Sequence, residues 1–142
     1  MSQIDAIRVR ALLGNIAEAQ GRLRELGQLS VDDFLADYRN TESAKYLLIV
    51  ATEAAIDLCN HIVARRSGQA PEDYADCFEI LGGLTVIESD LANRLKNMAR
   101  FRNLLVHLYW KVDNQRVYEI IQKNLNDLDD FRQQISRWVV NN

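Results

Sequence analysis

Two residues in one short stretch have the types that phosphate chemistry wants, Arg102 and His107, and they stand with Asn103 and Tyr109 in the run MARFRNLLVHLYWKVD from Met98 to Asp113. A guanidinium is a permanent planar cation whose fork holds two phosphate oxygens at once. An imidazole, with an ordinary pKa of about 6.5, moves protons near neutral pH. His107 is one of only two histidines in the chain. Arg102 and His107 are therefore the candidate catalytic pair, one for charge and one for protons.

Spacing limits what the pair does on a helix turning about 100° per residue. Asn103 and His107 share a face, so the Asn103 amide is placed to orient the imidazole or the substrate. Arg102 and Tyr109 share another face, at the border of the apolar stripe. Arg102 and His107 stand about 140° apart, too splayed to grip one atom. Either the helix loosens here or a second chain completes the site. The second option is preferred, which makes a homodimer part of the chemistry.

An arginine at the edge of a core needs a carboxylate. Glu53, Asp57 and His61 recur at four-residue steps, with Asn60 alongside. Their plain reading is a solvated helix face with an Asp57–His61 pair. The sharper reading sets Glu53 or Asp57 against Arg102, with Asp57 as its support. No acidic cluster beside the motif suits Mg²⁺, and two cysteines are too few for a usual zinc site. No metal and no cofactor are expected.

The elements that position these residues are helical throughout. A first helix spans residues 3 to about 27, with Ile4, Ile7, Ala11, Leu12, Ile16, Ala19, Leu23 and Leu26 at three/four spacing and Gly27 as a stop. Arg8 or Arg10 could line a groove. Ser30 caps a short helix to about Tyr38. Thr41 can cap a long helix from about Glu42 to Arg66, packed through Ala44, Leu47, Leu48, Ala51, Ala55, Leu58 and Ile62. Pro71 opens a short helix, Glu72 to about Leu81, which Gly82-Gly83 ends, and Leu84 to Ile87 packs as a linker.

A fourth helix enters near Ser89 or Asp90 and turns Leu91, Leu95, Met98, Phe101, Leu105 and Leu108 inward. Lys96, Arg100, Asn103 and His107 form a basic stripe on another face. After Val112-Asp113-Asn114, one last helix runs from about Gln115 to Val140. The prediction is all-α: one domain over residues 1–142, an antiparallel up-and-down bundle of four long helices plus short extra ones.

Composition agrees. The 142 residues are 48% hydrophobic and 26% charged, with one proline and six glycines. A net charge of −3 excludes a generic basic nucleic-acid coat, so any RNA contact is a local patch. Cys59 and Cys77 read as buried thiols in a reducing compartment. No signal peptide is visible and no apolar run approaches the roughly 20 residues of a membrane span. A cytoplasmic protein without a membrane partner is expected.

The string Arg102-x4-His107-x-Tyr109, with its flanks Phe101 and YWKVD and the run AIDLCNHIVAR from Ala55 to Arg65, resembles the HEPN superfamily. Within it, the closest likeness is to the HepT toxins of HepT/MntA pairs, over nearly the whole chain. The resemblance implies a metal-independent endoribonuclease toxin of a type VII-like toxin–antitoxin pair. It also implies a homodimer and a minimal nucleotidyltransferase antitoxin that transfers AMP to Tyr109. From the residues alone, Tyr109 reads as a helix-end tyrosine with its hydroxyl in water. Trp110 and Lys111 are assigned to packing and the rim. The alternative function is a non-catalytic helical partner that regulates a nucleotidyltransferase.

Overall fold

The computed structural model describes residues 3–142, and among these are seven α-helices and no strand. Short polar residues open most helices by taking otherwise unpaired N–H groups. Asp5 accepts from the backbone N–H of Ile7 and of Arg8, both at 3.1 Å, and starts α1 (Ala6–Gly27). Ser30 accepts from the Asp33 N–H and starts α2 (Val31–Ala36). Asp37 starts the long α3 (Tyr38–Arg66), so Thr41 lies inside that helix, buried, with its hydroxyl donating to the Tyr38 carbonyl.

α3 is the central element. Its alanines 44, 51, 54 and 55 are buried on the faces that receive its neighbours, and a helix apolar on most sides belongs inside. The expectation of no run of membrane-spanning character needs correction here. α3 is long and apolar enough to cross a bilayer, but 67% of its most apolar 18-residue stretch is buried in this bundle. Antiparallel to α3 run α1 on one side and α5 (Ser89–His107) on the other, as the Asp5–His61 and Glu53–Arg102 pairings show. In α1 the apolar face is Val9, Ile16, Ala19 and Leu23, whereas Ile7 is 79% exposed.

α4 (Tyr74–Gly83), capped by Asp73, lies against α3 and α5. A Cβ on Gly82 would stand 2.9 Å from the Ala92 Cβ, so glycine lets α4 close on α5. The chain then reverses through Thr85, at φ 59°, and buries Val86 and Ile87 as the linker reading expected. Cys59 and Cys77 are free and buried at the α3–α4 contact.

The last helix departs from its prediction. It is two helices, α6 (Asn114–Lys123) and α7 (Asn126–Val140). At the break, Asp127 and Leu128 donate to carbonyls only three residues back, those of Asn124 and Leu125. The buried Gln20 amide of α1 donates to the Leu125 carbonyl at 2.9 Å and to the Asp129 carboxylate at 2.8 Å. The Leu125 carbonyl thus accepts twice, from the local turn and from a long-range amide. The apolar positions Val117, Ile121, Leu125, Leu128, Phe131 and Ile135 are buried across the break. Arg94 ties α5 to α7 by donating to Asp127 and Asp130.

His61 is not paired with Asp57. It is 6% exposed, and its Nε2 accepts the Asp5 backbone N–H at 3.0 Å. Burial, then the nearby Arg65 and Arg8 charges, hold its pKa below the ordinary histidine value, with Asp5 opposing. A depressed folded-state pKa means that the folded protein binds fewer protons, so protonation favours unfolding. The stabilisation is present above about pH 6.5, the ordinary histidine value, and is lost as pH falls through the lower folded value. Thermal melts from pH 7.5 downward should show a fall in melting temperature that His61→Gln flattens.

Candidate active site

Arg102 lies on the late turns of α5 and points toward α3. Its side chain is 13% exposed, and its Nη2 donates to Glu53 Oε1 at 2.6 Å. Its Nη1 donates to Asn103 Oδ1 at 3.1 Å. The guanidinium carbon sits 5.0 Å from the Tyr74 ring centroid, a cation–π distance. Among the described residues its buried Nε has no partner. The cation is held on three sides while its acidic partner, 46% exposed, stays in reach of solvent.

The supporting carboxylate is therefore Glu53, and the assignment of Asp57 to that task is corrected. Asp57 is exposed one turn further along α3 and lines an open polar cavity with Asp5, Arg8, Asn60, His61 and Arg65. The antiparallel register of α3 and α5 carries Asp57 past Arg102, toward the start of α1. Asn103 also differs from expectation: its carbonyl oxygen serves Arg102 and makes no bond to the imidazole. The basic stripe is partly neutralised, since Lys96 pairs with Glu79 at 2.5 Å.

His107 is the last residue of α5 and exposed, and its side chain has no hydrogen bond among the described residues. α5 is a continuous α-helix from Ser89 to His107. The loosening that would bring His107 round to Arg102 does not occur, and the splay of about 140° stands. Leu108, at φ −128° and ψ 38°, ends the helix. It is 46% exposed rather than inward, because the helical register that would bury it stops one residue earlier.

Tyr109 opens a 3₁₀ turn, Tyr109–Lys111, and so does not continue the face of Arg102. Its hydroxyl is not in water: it donates to Glu42 Oε2. Lys45, 5% exposed, places its Nζ 4.5 Å from the Tyr109 ring centroid and 3.9 Å from Glu42 Oε1. Burial, and then the Glu42 carboxylate, push the Tyr109 phenol up to about 12. Trp110 is 91% exposed and meets only the edge of Tyr109 among aromatic rings. It belongs to the rim, not to packing.

Glu42, Lys45 and Tyr74 escaped sequence reasoning. The one available signal was Lys45, a cation flanked by the apolar positions Ala44, Leu47 and Leu48 of α3. Such a lysine either extends its ammonium to water or, where it is buried, pairs with an anion.

Known proteins resolve what this arrangement belongs to. The family model described as ribonuclease HepT-like matches residues 16–135. The chain belongs to the HepT-like ribonuclease family. A tRNA nuclease HepT from Aphanizomenon flos-aquae is 26% identical over 141 residues, spanning 99% of this chain and 95% of the relative. An mRNA nuclease HepT from Shewanella oneidensis is 28% identical over 122 residues, 84% of this chain and 92% of the relative. The tri-AMPylated HEPN toxin of Shewanella oneidensis, solved in complex with its MNT antitoxin, superposes with a TM-score of 0.84 at 26% identity. That likeness covers 96% of this chain and 99% of the toxin. The likeness to HepT toxins read from the Arg102–Tyr109 string thus extends to family and fold.

In this HepT-like chain the phenol titration is directly measurable. The ultraviolet difference between the protein and Tyr109→Phe should place the Tyr109 ionisation near 12. Glu42→Gln removes the adjacent negative charge and should move it down, with the part due to burial remaining.

Proposed function

We propose that this chain is a metal-independent endoribonuclease toxin whose active site lies in the cleft of a homodimer. In this reading a cognate nucleotidyltransferase antitoxin silences it by AMP transfer to Tyr109. One observation carries the catalytic part: a pre-anchored guanidinium, Arg102, and an exposed imidazole, His107, without a partner among the described residues, project from one unbroken helix.

RNA brings its own nucleophile, the ribose 2′-hydroxyl. His107 takes its proton as the oxygen attacks the adjacent phosphorus, and the bond to the 5′-oxygen breaks. Water supplies the proton to the leaving oxygen. Arg102 carries the charge that develops on the phosphoryl oxygens. A two-fold axis near the end of α5 would bring one protomer's Arg102 and its partner's His107 into one cleft, which answers the angular separation. The exposed Leu104, Val106 and Leu108 at that end of α5 suit a contact between copies.

Metal independence is supported by the scarcity of ligands. Among the described residues no three His, Cys, Asp or Glu side chains stand where they could hold an ion. Silencing is supported by position, because Tyr109 follows His107 by two residues. An adenylate there puts bulk and negative charge where substrate phosphate must enter. RNA as substrate and two free thiols favour the cytoplasm.

The test is RNA cleavage in EDTA, with growth arrest scored alongside. His107→Ala should slow cleavage by about 10²–10⁴-fold, and Arg102→Ala by about 10²–10³-fold, with both variants folded. Cleavage by His107→Ala at the parent rate, or loss of the parent's own activity in EDTA, overturns the proposal.

A further inference from the structure

The contacts of Tyr109 point beyond its role as an acceptor. Its hydroxyl donates to a carboxylate oxygen of Glu42, so the proton that AMP transfer must remove already lies on a line to a base. The other oxygen of that carboxylate faces the Lys45 ammonium, which is 5% exposed and lies over the Tyr109 ring. Glu42 and Lys45 are three residues apart on α3, whereas Tyr109 reaches them from the 3₁₀ turn after α5. The tyrosine is therefore held by contacts to α3 as well as by its own turn.

We infer that Glu42 is the general base of AMP transfer, a catalytic residue that the acceptor chain itself supplies, with Lys45 offsetting the negative charge that develops on the phenol oxygen. The inference rests on the reading of Tyr109 as the site of AMP transfer.

The step balances with a nucleoside triphosphate as co-reactant. The Tyr109 oxygen bonds to the α-phosphorus of ATP as the bond from that phosphorus to the bridging oxygen of the β-phosphate breaks. Pyrophosphate leaves, and the phenol proton passes to Glu42 and then to water. No oxidation is involved. A base is needed because the phenol, pushed up to about 12, is almost wholly protonated near neutral pH. The charged groups that meet this hydroxyl are Glu42 and Lys45, both from α3. Loss of the carboxylate therefore removes the one proton acceptor that the phenol has among the described residues.

The experiment uses the full chain with its nucleotidyltransferase in excess, saturating ATP and Mg²⁺, and single-turnover kinetics read by intact mass from about pH 7 to pH 9. The parent, Glu42→Gln and Tyr109→Phe are compared, with thermal melts to establish folding. Glutamine keeps the size and the hydrogen-bonding oxygen but takes up no proton. Glu42→Gln should slow transfer by about 10²–10⁴-fold near neutral pH. Its deficit relative to the parent should shrink about tenfold per unit rise in pH, as hydroxide replaces the lost base.

Equal rates for parent and Glu42→Gln would overturn the role of Glu42 and leave Tyr109 as acceptor. A loss of constant size at every pH would also overturn it, since that marks a residue that only positions the tyrosine. If the parent takes up no adenylate, or if Tyr109→Phe takes it up equally well, the acceptor reading fails and this inference falls with it.

Discussion

A guanidinium that cannot give up its charge, held at 13% exposure between α3 and α5, is the constraint on which the site depends. Arginine has no neutral form to retreat to at any relevant pH, so its place near a core must be matched by an anion. Glu53 supplies that anion from α3, Asn103 takes a second N–H, and Tyr74 of α4 lies beneath the plane. Glu53 remains 46% exposed, so the pair adds little to stability. Its larger effect is on position, because it fixes which residue of α3 stands opposite which residue of α5.

That register decides the environment of each motif residue that follows. Two turns on from Arg102, the same antiparallel crossing brings the start of α3 under the end of α5, and Tyr109 arrives over Glu42 and Lys45. Between them His107 closes the helix and faces solvent without a partner among the described residues. Three residues within eight positions are thus a paired guanidinium, an exposed imidazole and a phenol bonded to a carboxylate. The helix that creates this division also keeps guanidinium and imidazole on different faces, which is why the proposed cleft takes one group from each protomer.

Much of this was legible in the residues. Periodicity located the long helices, and Gly27, Gly82-Gly83 and the Ser30 cap marked boundaries that hold within a residue or two. Arg102 and His107 drew attention by type and spacing, and the need of Arg102 for a carboxylate followed from its place at the border of the core. Which carboxylate was not legible: Glu53 and Asp57 are one turn apart on the same stripe, and only the tertiary register separates them. The break between α6 and α7 has neither glycine nor proline, since a distant amide, Gln20, stabilises it. His61 appeared to be half of a surface pair because its true partner is a backbone N–H on the opposite helix. Tyr109 was misplaced on the face of Arg102 because the α5 helix ends one residue sooner than its apolar pattern does.

The central claim is that Arg102 of one protomer works with His107 of its partner. The most direct measurement mixes two inactive proteins, Arg102→Ala and His107→Ala, under conditions that exchange subunits, and follows RNA cleavage. In a shared cleft, each mixed dimer contains one cleft with both groups intact, so activity should reappear on mixing and track the fraction of mixed dimers. If mixed dimers form and cleavage stays at the level of the separate variants, each chain must use its own Arg102 and His107, and the account of a composite cleft is wrong.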